Sequence, residues 1–141
     1  DLDIEKKKGE DGFLTILLVY KNNRSKATEM SRVLNSLEKI KDIPIRVEIT
    51  DDLTLNSFKD KPPAGIFIAE LLDDKLPDVV HYAVNNHIVL FSPFTGDVEK
   101  GVLGGIYISD RVLPYINLSS IKSSGIRIKQ FFIRVSVKYG Q

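Results

Sequence analysis

The sequence predicts an α/β fold: a single three-layer domain with a mostly parallel sheet, helices on both faces and an antiparallel C-terminal edge hairpin. Two observations carry that expectation. Short apolar runs alternate with stretches of helical period from Phe13 to Phe91, the pattern of right-handed β-α-β crossovers. Beyond that point Ile106, Ile108, Val112, Tyr115 and Ile116 form two β-rich runs joined through Ser109-Asp110-Arg111. That link is too short for a crossover helix, so the runs should pair antiparallel.

Taken in order, residues 1–12 are charged and lack apolar periodicity, which reads as a flexible arm ahead of one domain over 13–141. Phe13 to Tyr20 (FLTILLVY) is apolar almost throughout and reads as a central strand. Lys21 to Arg24 is a polar turn, and Ser25 or an asparagine before it can cap a helix with apolar positions Ala27, Met30, Val33, Leu34, Leu37 and Ile40. Ile45, Val47 and Ile49 alternate with Arg46, Glu48 and Thr50, the mark of a half-exposed strand. A short helix is expected within Asp51 to Lys61. Pro62-Pro63 resets the chain into a third strand, Gly65 to Ala69. Pro77 suits the first turn of a helix that buries Leu76, Val79, Val80, Ala83 and Val84 and stops at Asn85-Asn86.

Ile88 to Phe91 reads as a strand buried on both faces, stopped by Ser92-Pro93 and followed by the turn residues Thr95-Gly96-Asp97. Pro114 fits an edge position for the hairpin. Asn117 can cap a helix Leu118 to Ser124 that Gly125 ends, and Phe131, Phe132, Val135 and Tyr139 should line one side of a final helix.

Composition excludes several functions. The chain has 141 residues, enough for a core without staples, and 20 Lys and Arg against 19 Asp and Glu give a formal charge of +1. No long-range field selects nucleic acid. There is no cysteine, hence no disulfide, thiolate catalysis or cysteine-based zinc site. No run reaches the roughly 20 apolar residues of a membrane helix. The start at Asp1 without a methionine suits a chain from which a signal peptide has been removed.

Candidate chemistry is sparse. His81 and His87, the only histidines, stand six apart and do not form an i, i+4 metal pair. Gly96 and Gly101 have the separation of a phosphate loop, but Lys100 precedes the second glycine and Val102-Leu103 stands where Lys and Ser or Thr belong. Turn and hairpin glycines are the better account. A receiver domain shares the alternation, yet Tyr20 to Asn23 replace its paired acids and Ile68-Ala69-Glu70 lacks its phosphorylatable Asp. Only a pseudo-receiver-like interaction domain survives, as an analogy of fold. Asp51-Asp52 and Asp73-Asp74 read as caps. No catalytic residue, metal ligand or cofactor is assigned.

The C-terminal order is more informative. Ile116-Asn117-Leu118, Ile121, Gly125, Ile126, Ile128 and the run Phe131 to Val135 resemble the YfiR-like family of bacterial periplasmic proteins, in which a strand ending Ile-Asn-Leu leads through a short helix and a glycine to a closing helix. A similar tail ends some periplasmic substrate-binding proteins of transporters. The resemblance is specific over about the last fifty residues and generic elsewhere. It implies a periplasmic, non-enzymatic sensor or regulatory domain resembling one lobe of a periplasmic binding protein. In that family such a domain restrains an inner-membrane signalling protein such as a diguanylate cyclase. Two departures stand out: the absence of cysteine rules out disulfide control, and Leu90 to Phe94 with Gly96 to Glu99 suggests a separate branch with another partner.

Ligands of open α/β sheets favour the carboxyl ends of strands, which nominates Tyr20, Lys21, Asn22, Asn23, Glu70, Ser92, Pro93 and Phe94 as ligand- or partner-binding residues. Core or rim packing is the competing account of Tyr20 and Phe94. The alternative function is a small-molecule-binding component of an ABC-type transport system; because one lobe encloses a ligand poorly, that reading calls for a homodimer. An enzyme ranks third.

Overall fold

A computed structural model describes residues 6–140. They form two compact units that divide after Leu72. The α/β prediction holds: strands and helices alternate, and parallel pairs predominate.

In the first unit the strands are β1 (Leu14–Val19), β2 (Lys39–Ile40), β3 (Ile43–Thr50) and β4 (Gly65–Ile68), in the order β2-β3-β1-β4. β1 runs parallel to both β3 and β4. Its central place matches its composition, since Leu14, Leu17, Leu18 and Val19 are all buried. β3 shows the expected alternation, with Ile43 and Ile45 buried while Pro44, Arg46 and Glu48 are exposed. Helix α1 (Arg24–Asn35) links β1 to the β2-β3 pair and is capped by Asn23, whose side chain accepts from the Lys26 N–H.

α1 is shorter than its apolar spacing predicts. It ends at Asn35, Val33 and Leu37 are exposed, and Ile40 lies in β2. The physical cause is a tight hairpin. Lys41 and Asp42 both adopt positive φ (49° and 68°) between the paired residues Ile40 and Ile43. This is the geometry of a two-residue hairpin turn that normally announces itself through Asn-Gly, and Lys-Asp does not. The helix expected in 51–61 is also reduced, to a single 3₁₀ turn at Asn56–Phe58. There the Asp52 carboxylate accepts hydrogen bonds from the backbone N–H and the hydroxyl of both Thr54 and Ser57, so a side chain takes up donors beside the short carbonyl bonds from the Phe58 N–H to Leu55 and the Lys59 N–H to Asn56.

Residues 1–5 of the expected N-terminal arm lie outside the described residues. In its remaining part, Asp11 accepts from the Phe13 N–H and pairs with Arg46, whose guanidinium sits 4.5 Å from the Phe13 ring centroid.

In the second unit, helix α2 (Leu76–Asn85) carries Pro77 in its first turn and buries Leu76, Val79 and Ala83. The strands β5 (Val89–Phe91), β6 (Gly104–Ile108), β7 (Val112–Asn117) and β8 (Val137–Tyr139) follow one another in space. β6 and β7 form the predicted antiparallel hairpin. Helix α3 (Leu118–Ser124) starts at the Asn117 cap and ends at Gly125, whose φ is 72°.

Three expectations are corrected here. β5 is not buried on both faces, because Val89 is 45% exposed while Leu90 is fully buried. Helix α4 spans only Gln130–Val135, and Tyr139 belongs to β8 instead of the helix face. Ser136 is extended (φ −91°, ψ 147°) and releases Val137–Tyr139 to pair in parallel with Tyr115–Asn117. β8 therefore takes the outermost place beside the hairpin. Pro114 lies just beyond the β8 pairing, where its missing N–H leaves no gap in a ladder.

Candidate functional site

The nominated residues of the first unit come together at the carboxyl end of β1. Glu70 Oε1 accepts three backbone N–H groups, from Lys21 at 2.8 Å, Asn22 at 2.8 Å and Asn23 at 2.7 Å. Desolvation pushes its carboxyl pKa up, but the donations from Asn23, Asn22 and Lys21, with the charge of Lys21, outweigh it and hold the group below its ordinary value of 4.5. The turn that leads into α1 is thus filled by the chain's own carboxylate. Tyr20 is buried with Ala27 and Ala69, and its hydroxyl accepts from Arg24 Nη1 at 2.9 Å. These contacts give all five residues a structural task.

The second-unit nominees lie in the loop after β5. Ser92 is buried; its hydroxyl donates to Asp97 Oδ2 at 2.6 Å and accepts from the Phe94 N–H at 3.1 Å. Pro93 and Phe94 are half-buried beside it. The loop packs on one face of β6, where a Cβ on Gly105 would stand 2.6 Å from the Ser92 carbonyl oxygen. The two histidines lie apart in their contacts: His81 Nε2 meets Asn85 Nδ2 at 2.9 Å, and His87 Nδ1 meets the Ser124 carbonyl at 2.5 Å. Among the described residues no group of three or more His, Cys, Asp or Glu side chains could hold a metal.

The other face of the hairpin holds what the sequence reading missed. Phe91 pairs with Gly104, Gly104 with Ile116 and Ile106 with Pro114, so these side chains share one face by register. Together with Val89, Val112, Ile121 of α3, Ile128 and Phe132 of α4 they line an apolar groove of about 490 Å³. Val89, Ile106, Val112 and Phe132 remain 37–65% exposed along it. Gly104 keeps the floor open: a Cβ there would meet only the Tyr115 carbonyl oxygen, at 3.9 Å. The opposite face carries Tyr107 and Tyr115, whose rings meet edge to face at 5.3 Å. The alternation of β6 and β7 was visible in the sequence, but it reads equally as core; that one face stays open depends on what packs there.

No family model matches the sequence, and no curated protein matches it. Several solved structures share its fold. The ABC domain from Streptococcus pneumonia in complex with L-Trp superposes with a TM-score of 0.61 at 12% identity, covering 97% of this chain and 59% of its own. A substrate-binding protein with adhesive properties from Clostridium difficile, in a ligand-free, open form, gives 0.65 at 16%, covering 98% and 58%. A conserved domain protein from Vibrio cholerae gives 0.60 at 14%, covering 96% and 59%. The chain thus spans under two thirds of the length of these neighbours, and at such identities the likeness is one of fold. It agrees with the substrate-binding-protein half of the C-terminal resemblance; the YfiR-like half finds no matching family model.

Proposed function

We propose that this chain is a non-enzymatic ligand-binding domain of the substrate-binding-protein type, acting outside the inner membrane, and that the groove of the second unit holds the apolar part of a small molecule. The groove carries the proposal. Its volume falls within the range of about 300–1,000 Å³ usual for small-molecule sites, and its lining is apolar, as such sites are. The fold likeness to proteins described as substrate-binding, one of them in complex with L-Trp, supports the same reading. Among the described residues no helix is long and apolar enough to cross a membrane. The partner expected within a membrane signalling system draws no support from these likenesses, so the small-molecule reading now leads.

The test uses N-phenyl-1-naphthylamine, an uncharged apolar fluorophore. Its emission should rise saturably with the wild-type chain. Gly104→Leu should fill the floor and abolish the rise while leaving the melting temperature unchanged or higher. An equal rise in the variant would remove the groove from consideration.

A further inference from the structure

The lining of the groove narrows the class of ligand. Besides the residues already placed along it, Leu103, Gly105, Leu113 and Tyr115 complete the lining, and none of the described lining residues carries a charge. Their one side-chain polar atom is the Tyr115 hydroxyl. By register Tyr115 stands with Gly105 on the opposite face, where its ring meets Tyr107 and its hydroxyl donates to the Glu99 carboxylate. That hydroxyl is engaged away from the groove.

Backbone groups of the floor are committed as well. The Leu103 carbonyl accepts from the Asn117 N–H at 2.9 Å, and the Gly104 carbonyl accepts from the Ser92 N–H at 3.0 Å. Pro114, paired with Ile106, has no N–H to offer. Small-molecule sites usually fix their ligand through a few placed polar groups, and the lining presents no side chain for that task. Apolar contact and shape are left to hold a ligand.

A charge carried onto such a floor loses water and gains no partner, a far larger penalty than a neutral group meets. A free amino acid is the hardest case, since its ammonium and its carboxylate both need partners.

We infer, on the reading that the groove binds a small molecule, that its ligand is an uncharged apolar compound, held along Phe91, Ile106 and Phe132 by contact alone, and not an amino acid or an organic ion. The experiment is displacement of N-phenyl-1-naphthylamine at pH 7 by four compounds that share one indole body: uncharged 3-methylindole, anionic indole-3-propionate, cationic tryptamine and zwitterionic L-Trp. 3-Methylindole should displace the fluorophore at least about tenfold more tightly than any of the other three, a margin worth about 1.4 kcal/mol. Raising salt should leave that order unchanged, because no fixed charge sets it. Val112→Lys, at a lining position that is 65% exposed, should move indole-3-propionate ahead of tryptamine.

Displacement by L-Trp or by either ion as tight as that by 3-methylindole would overturn the inference while the groove reading stands. Equal displacement by the two ions in the Val112→Lys variant would show that charge in the lining does not govern binding, and would overturn it too. Failure of the fluorophore to bind would overturn both readings. Dimerisation seen in sedimentation and reversed by the fluorophore would assign the groove to a second copy, again overturning both.

Discussion

Glu70 shows how one side chain can take a place that strand-end reasoning reserves for a ligand. Its carboxylate gathers three consecutive N–H donors that would otherwise need water or an anion. Because it is part exposed, the interaction is screened, and Glu70→Ala should cost about 1–2 kcal/mol in urea unfolding at pH 7. The folded pKa is lowered, so this contribution is complete above the ordinary value of 4.5 and is lost as pH falls through the lower folded value. The difference between wild type and variant should therefore close on acidification; a constant difference down to pH 2 would refute the assignment. Gly105 makes the complementary point about space. An added Cβ would meet the Ser92 carbonyl oxygen at 2.6 Å and Val98 Cγ2 at 2.8 Å. Gly105→Ala should destabilise by about 1–3 kcal/mol, whereas Gly104→Ala, whose Cβ would point to the opposite face of the same strand, should be nearly silent in the same thermal melt.

Among the elements, caps and breakers were the legible part. Asn23 before α1, Pro77 in α2, and Asn117 and Gly125 around α3 all act as their types predict. Asn117 does more than cap. Its Oδ1 accepts from the Ser120 N–H at 2.9 Å and its buried Nδ2 donates to the Val98 carbonyl at 2.8 Å, tying α3 to the loop before β6. Asn117→Ala loses both and should cost about 2–3 kcal/mol, more than an exposed cap alone; a loss below 1 kcal/mol by chemical denaturation would contradict the dual role. The elements that were misjudged share a cause. α1 ends early, 51–61 makes one 3₁₀ turn, and α4 yields to β8 because local side-chain bonds, positive φ at Lys41 and Asp42, and strand pairing outweigh apolar periodicity. None of these leaves a mark in residue spacing.

For the whole molecule, near neutrality hides segregation. Residues 104–140 are strongly basic, and the balance of acids lies in 1–103. The chain's isoelectric point is about 8.1, and it exposes a largely apolar groove. As net repulsion vanishes near that pH, self-association through apolar surface should rise. Light scattering across pH 6 to 9 should peak near the isoelectric point, and Val112→Lys with Phe132→Ser should lower the peak. Scattering that does not respond to the pair would place the association elsewhere. The segregation was open to inspection in the sequence, and a running charge count along the last forty residues would have exposed it where a total of +1 did not.

Order along the chain and the chemistry of individual residue types determined the α/β class, the buried β1, the half-exposed β3, the β6-β7 hairpin and three of the helix caps, because each rests on contacts within a few residues or on a strand's own alternation. The tertiary structure alone decided that Glu70 satisfies the turn before α1, that Ser92 is buried against Asp97, and that the Gly104 face of the hairpin is open while the Gly105 face is covered. Alternation assigns residues to two faces of a strand, but which face meets a loop and which meets solvent is settled by segments distant in sequence.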